Sequence, residues 1–310
     1  VEHRPVGTSG LTTSAIALGT LHWGADTDVH EAGEILEVFL EAGGTTVDTT
    51  AGIGVGEEVL GGLIGSTVDR ESLTVVAKAG VDGELSSPRV DTSRGRLMAS
   101  LDRTLRRLGT DHVDLWLVQA WSPDVPLVET LSALRWAQSS GRARYVGVSN
   151  YSGWQTARAA TLEPDLVATS VEWSLVARGA EREVEPAALA LGLGVLAWSP
   201  LGRGVLTGKY RAGTPADSRA AAAHLSSFVS SHLTSTARRV VEAVVTAADG
   251  LGCSPQALAL AWLLDKDVVS AAVTGPRTAA QLRGALPALD VEPPEEIIAV
   301  LDEVSDQLTR

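Results

Sequence analysis

Cysteine, methionine and tyrosine are scarce in this chain, at one, one and three residues in 310. A single cysteine, Cys253, excludes an intrachain disulfide and fits a reducing compartment. Apolar residues never run for about 18 positions, so no membrane-spanning helix is expected. Residues 1–10 lack a basic segment followed by an apolar core. No secretory leader is therefore expected, and the cytoplasm is the expected location. Basic residues are outnumbered, 25 to 38, for a net charge of −13. Such a chain repels phosphate backbones, which excludes nucleic acid as an expected partner but not a small anion in a local basic pocket. His3, His30, His224 and His232 show no ligand spacing, so no metal site is expected. His112 and Cys253 are read as structural.

Hydrophobic residues make up 45% and charged residues 20%, enough apolar material for a large core. Heavy use of Ala, Gly, Val, Leu and Arg suggests a GC-rich genome. Short β-branched runs alternate with longer helical patterns. The strand candidates are Ala15–Gly19, Thr45–Asp48, Leu73–Lys78, Val113–Val118, Arg144–Val148, Leu166–Glu172, Gly194–Trp198 and Ser270–Thr274. Their cores are apolar without clean alternation, as in strands buried on both faces. Helical patterns cover His30–Glu41, Arg94–Leu108, Leu127–Ser139, Trp154–Thr161, Arg182–Leu191, Ser235–Asp249 and Ser254–Leu264. In the second of these, Leu97, Leu101, Leu105 and Leu108 form one apolar stripe.

Alternating β and α elements predict parallel strands with crossover helices, here a single α/β domain over 1–310 folded as a (β/α)8 TIM barrel. The competing open, doubly wound sheet usually carries GxGxxG after its first strand, and Gly19–Gly24 does not match it. His3–Ser14, centred on Gly7-Thr8-Ser9-Gly10, reads as an N-terminal β-hairpin that closes the barrel bottom. Gly202–Ser231 is long for a loop in a compact domain, which marks it as functional.

Barrel chemistry sits at the C-terminal ends of the strands. Those ends carry His22, Asp48, Lys78, Gln119, Ser149-Asn150, Ser199 and Gly275-Pro276-Arg277. Asp48 and Lys78 end adjacent strands, where a carboxylate and an ammonium pair to offset burial. Their pairing is either structural or a means of tuning a nearby proton donor. Gly275 to Thr278 opens a helix after the last strand; it reads either as an anion site or as a plain helix cap at Thr278.

Several strings resemble aldo-keto reductases. They are Val47-Asp48-Thr49 with Gly61, Ala77-Lys78, Gly147-Val148-Ser149-Asn150, Trp198 to Gly204, Leu206 to Tyr210, Ala259 to Leu264 and Gly275 to Leu282. The resemblance spans Gly10 to Ser305. It implies a (β/α)8 barrel that binds NADP(H) without a Rossmann domain and reduces carbonyls of a small-molecule substrate. It places the tetrad's Asp at Asp48 and its Lys at Lys78. The tetrad's Tyr falls on Ile53 and its His on Gln119, so the usual proton donor is missing. A positioned general acid is worth about 10²–10⁴ in rate. Three replacements are open: His22, Lys78, or a water held by Gln119. Cofactor contacts are implied at Ser149, Asn150, Ser199, Leu201, Arg203, Gly275, Thr278 and Gln281, with Arg277 on the 2′-phosphate. Ser170 stands where the family has Gln, and Ala280 and Ala285 where it has Glu and Asn, which implies weakened affinity. Trp23, Trp121 and Trp173 are expected to line a pocket for a bulky, apolar or polycyclic substrate.

The expected function is an NADP(H)-dependent oxidoreductase with an atypical centre. Its rivals are a non-redox lyase, dehydratase or cyclase on the same barrel, and an inactive cofactor-binding protein.

Overall fold

A computed structural model describes the whole chain except residues 51, 85–86, 217, 223–224 and 309–310. It opens with β1 (His3–Pro5) and β2 (Thr12–Ser14), an antiparallel hairpin with His3 opposite Ser14. Then come β3 (Ile16–Gly19), α1 (Val29–Glu41), β4 (Thr46–Asp48), α2 (Gly56–Leu63) and β5 (Thr74–Ala79). A second hairpin, β6 (Val81–Glu84) with β7 (Ser87–Val90), precedes α3 (Arg94–Leu108). The chain continues through β8 (Val113–Val118), α4 (Leu127–Ser139), β9 (Ala143–Ser149), α5 (Gly153–Leu162), β10 (Leu166–Glu172), α6 (Ala180–Leu191) and β11 (Gly194–Trp198). It ends with α7 (Ser226–Ser230), α8 (Ser235–Leu251), α9 (Pro255–Leu264), β12 (Val269–Thr274), α10 (Ala279–Ala285) and α11 (Glu295–Ser305).

Eight parallel strands close into a barrel in the order β3-β4-β5-β8-β9-β10-β11-β12, with β12 back against β3. This is the (β/α)8 barrel that the alternation predicts. Its interior holds Ala17, Val76, Leu115, Leu117, Ala168, Leu196, Ala271 and Val273. Val6 and Leu11 of the hairpin join that cluster, so the hairpin plugs the bottom as expected. A larger cluster fills the layer between strands and helices. There α3 buries its leucine stripe, and Gly109 ends the helix at φ 66° with its N–H on the carbonyls of Arg106 and Leu105. Gly61 lets α2 approach α3, since a Cβ there would stand 2.0 Å from the carbonyl oxygen of Arg107.

Four departures have local causes. α2 carries three glycines, which hide its helical pattern. The β6–β7 hairpin contains glycine and proline, and all four residues of β7 are exposed, so it lacks an apolar signature. α10 and α11 lie beyond the stretches with a helical pattern, and α11 buries only Leu301 and Ser305. The long loop after β11 contains a 3-10 turn over Gly202–Thr207 and then α7. No helix among the described residues is long and apolar enough to cross a membrane.

Candidate active site

Strand register decides which side chains meet at the barrel mouth. Val76 and Leu117 point inward. Asp48 pairs with Val76, and Lys78 pairs with Leu117. Side chains alternate along a strand, so Asp48, Lys78 and, two past Leu117, Gln119 all face inward at the C-terminal end. The same parity brings Ser149 and Ser170 inward, opposite each other, and Trp198, two past inward-facing Leu196.

Apart from Ser170, these residues floor an open cavity of about 310 Å³. Asp48, Ile53, Lys78, Gln119, Ser149, Asn150 and Trp198 all line it. The Lys78 ammonium donates to Asp48 Oδ1, and both residues are buried. Burial pushes the Asp48 carboxyl up, and the Lys78 charge beside it works against that rise. Ile53 is buried and presents only hydrocarbon to the cavity. Gln119 is held by its backbone N–H on the carbonyl of Ala79 at 2.8 Å, and its Oε1 is buried without a hydrogen-bond partner among the described residues. Ser149 Oγ is likewise buried and unpartnered.

Asn150 sits at φ 56° and its amide is anchored at both ends. Its Nδ2 donates to the carbonyl of Gln119 at 2.9 Å, and its Oδ1 accepts from Trp198 Nε1 at 3.0 Å. Ser199 and Arg203 also hold positive φ, at 52° and 58°. Among the described residues, all three non-glycine residues in this region of backbone space line the cavity, a clustering typical of functional sites.

Of the other residues expected to hold a cofactor, Ser199, Leu201, Arg203, Gly275 and Gln281 line the cavity. Ser170 is buried behind it; its carbonyl accepts from the Asn150 N–H at 2.8 Å and its Oγ lacks a partner. Arg203 is anchored through its guanidinium. Its Nε and Nη2 donate to Glu172 at 2.9 and 2.8 Å, Nη1 donates to the carbonyl of Phe228 and to Ser231 Oγ, and its Cζ lies 3.7 Å from the centroid of the Phe228 ring. His232 adds a contact to Glu172 at 3.0 Å. Burial raises the Glu172 carboxyl, but the His232 and Arg203 hydrogen bonds outweigh it and hold it below its ordinary value. Glu172 thus ties the long loop to the barrel.

Thr278 is the cap of α10: its Oγ1 accepts from the Gln281 N–H, while Gln281 Oε1 accepts from the Arg277 N–H at 2.9 Å. The carboxylate of Glu31 already accepts from the Ala279 N–H at 2.6 Å. The positive wall of the cavity therefore comes from side chains rather than from this short helix.

His22 is buried against that wall, not on the surface. Desolvation is the main cause that pushes its pKa down to about 4, with the Arg219 charge adding to it and Asp26, 3.1 Å from Nδ1, opposing it. In the free protein a ring held neutral in this way carries no imidazolium proton to donate near pH 7.

The expected tryptophan lining is corrected. Among the described residues, Trp198 and Phe228 are the aromatic rings of the cavity, and Trp23, Trp121 and Trp173 are not part of its wall. Trp23 and Trp173 are fully buried between strands and helices, the latter donating to Glu181 at 3.0 Å. Trp121 packs edge-on against Tyr151 and Trp154, each at 5.3 Å between centroids. Position one to four residues past a strand end does not ensure that a side chain turns inward.

Sequence reading missed Phe228 and Arg219, and it gave no role to Glu172, at a strand end, or to His232. Parity along β10 marks Glu172 as inward, two past Ser170. Arg219 lies within the long loop and reaches across the cavity to donate to the carbonyl of Gly275, with Nε buried and unpartnered. Among the described residues no group of three or more His, Cys, Asp or Glu could hold a metal; His224 lies outside them.

Residues 15–306 match the sequence model of the Aldo/keto reductase family. The chain is 32% identical to the uncharacterized oxidoreductase YrpG of Bacillus subtilis, over 98% of this chain and 96% of that protein. It is 32% identical to a probable voltage-gated potassium channel subunit beta of Oryza sativa, over 94% and 92% of the two chains. It is 31% identical to L-glyceraldehyde 3-phosphate reductase of Escherichia coli, over 94% and 88%.

Proposed function

The chain belongs to the aldo/keto reductase family, a family of oxidoreductases, and from this we propose that it binds NADP(H) and reduces a specialised carbonyl or polycyclic substrate, with Lys78 as proton donor. The observation that carries this reading is the composition of the cavity floor. Lys78 and Gln119 line it, and Ile53 beside them has no proton to give. The bound cofactor would supply hydride to the carbonyl carbon.

The chain's own groups then act on the oxygen. The Lys78 ammonium stabilises the developing alkoxide and transfers its proton to it, which yields the alcohol and leaves a neutral amine beside Asp48. Solvent returns the proton. The Gln119 amide orients the oxygen without titrating. Ser149 Oγ, buried and unpartnered, suits the cofactor's carboxamide. Arg219 and Arg277 at the Gly275 wall suit its phosphates and favour NADP(H) over NAD(H).

Titration of NADPH against the fluorescence of the eight tryptophans tests this, with NADH and NADP⁺ alongside. Micromolar binding with NADPH preferred, followed by NADPH consumption in a carbonyl screen, is the expected result. No binding at millimolar NADPH overturns the reading. Substrate conversion without net change in NADPH would assign non-redox chemistry to the Asp48–Lys78 pair instead.

A further inference from the structure

His22 follows β3 and Gly275 follows β12, adjacent strands of the barrel. His22 is buried, and its Nδ1 is engaged by Asp26 Oδ2 at 3.1 Å. The opposite edge of the ring faces Gly275: a Cβ on that glycine would lie 3.8 Å from His22 Cδ2. Arg219 closes the same wall from the long loop, bound to the carbonyl of Gly275, with its buried Nε unpartnered among the described residues. Arg277, two residues past Gly275, places a second guanidinium charge on both Arg219 and His22. His22 and Arg219 therefore share one wall of the cavity, with the Arg277 charge acting on both from beside it.

We propose that His22 is a proton-binding member of the phosphate site: neutral in the free protein, it takes up a proton when a phosphate of the cofactor settles against Arg219 and Arg277. This rests on the NADP(H) reading above.

The reason lies in the ring's two nitrogens. With Nδ1–H given to Asp26, a neutral ring presents a bare Nε2, an acceptor that repels a phosphate oxygen. Protonation turns Nε2 into a donor. In the free protein burial and the two guanidinium charges oppose that proton, and burial with the Arg277 charge brings Arg219 down to about 10. An incoming phosphate neutralises this field and reverses the balance. The charged groups that face His22 among the described residues are Asp26 on its own loop, Arg219 on the long loop and Arg277 after β12. Asp48 on the neighbouring β4 is taken up by Lys78.

Binding raises the pKa of His22, so affinity is greatest at low pH and falls as pH rises from about 4 towards the bound-state value. Within that window the dissociation constant rises by up to about tenfold per pH unit. The 2′-phosphate has its own ionisation near pH 6 and works the other way, so the wild type must be compared with His22→Asn.

Calorimetric titration of NADPH in two buffers of different ionisation enthalpy counts the protons taken up. At about pH 6 the wild type is expected to take up more protons per NADPH than His22→Asn, by about half a proton or more. It should bind about tenfold tighter at pH 5.5, and the two proteins should converge at pH 8.5. Asp26→Asn keeps the ring but weakens the imidazolium, so its proton uptake should shift to lower pH. Far-UV circular dichroism confirms that each variant is folded. Equal proton uptake in wild type and His22→Asn overturns the inference and leaves the cofactor reading intact. If NADPH fails to bind the wild type, inorganic pyrophosphate is titrated into the same proteins. His22-dependent proton uptake with pyrophosphate then upholds the phosphate site while the cofactor reading falls, and its absence removes both.

Discussion

Trp198 Nε1 donates to Asn150 Oδ1 at 3.0 Å, tying the end of β11 to the end of β9 across the intervening β10. The bond fixes the Asn150 amide, whose other end rests on the carbonyl of Gln119. Trp198→Phe keeps an aromatic ring and removes the donor. One hydrogen bond of this kind contributes about 1 kcal/mol. NADPH should therefore bind about fivefold more weakly, with little change in melting temperature; an unchanged dissociation constant would show that the amide needs no anchor.

Lys78→Met leaves the Asp48 carboxylate buried without its counter-charge. Breaking a buried pair on one side costs about 3–5 kcal/mol. Burial already pushes the Asp48 carboxyl up, and loss of the ammonium pushes it further. For an acid with a raised pKa, stability falls as pH rises through the shifted range, so the penalty should be smaller at pH 5 than at pH 8. Chemical denaturation at both values measures this. A Lys78→Met, Asp48→Asn double change should recover part of the loss.

Ile53→Tyr with Gln119→His supplies a phenol and an imidazole at the positions where the family's tetrad has them. Reduction of simple aldehydes should appear or rise by about a hundredfold or more, the low end of general-acid catalysis. NADPH oxidation with a panel of aldehydes is the assay. A stable double variant that binds NADPH but gains nothing would mean that the cofactor lies in a different pose.

His22 also bears on the free protein's stability. Its pKa in the folded chain is about 4, below the value of 6.5 it starts from. The unfolded chain therefore binds the proton first on acidification. Stability is complete above about pH 6.5 and is lost as pH falls towards 4, by about 3 kcal/mol in all. Thermal melts across this range should show the slope in the wild type and a flatter profile in His22→Asn. Parallel profiles would place the acid sensitivity elsewhere.

Glu172 binds Arg203 and His232 from opposite ends of the long loop. Glu172→Gln keeps the shape and removes the charge. Proteolysis between Arg203 and His232 should quicken several-fold, and NADPH should dissociate faster. Unchanged cleavage and release rates would show that the Phe228 stack alone secures the loop.

Much of the fold was legible because its signals are local. Val113–Val118, Leu166–Glu172, Gly194–Trp198, Arg94–Leu108 and Leu127–Ser139 form the elements their patterns predict, with the same bounds. Buried parallel strands carry continuous apolar runs, and a covered helix carries a stripe. α2 was hidden because glycines dilute its pattern, and one of them, Gly61, serves close packing against α3, a contact with residues far away in sequence.

The candidate site divides in the same way. Asp48, Lys78, Ile53 and Gln119 were legible as positions at or near strand ends, and register with two-residue alternation carries Asp48, Lys78 and Gln119 inward together. Trp23 and Trp173 sit at similar positions yet turn into the outer layer, because the path of the chain beyond a strand end is set by loop packing and not by alternation. Arg219 and His232 belong to a long segment in which length alone was the signal. Their partners, the carbonyl of Gly275 and the carboxylate of Glu172, lie 56 and 60 residues away. The barrel, its plug and the identity of the groups at its mouth can be read from the chain before it folds, because periodicity, register and residue chemistry are properties of short stretches. That His22 is held neutral, that Arg203 is tied down and that Arg219 reaches the cavity emerges with the assembled fold, because burial and electric field are summed over residues that are far apart along the chain.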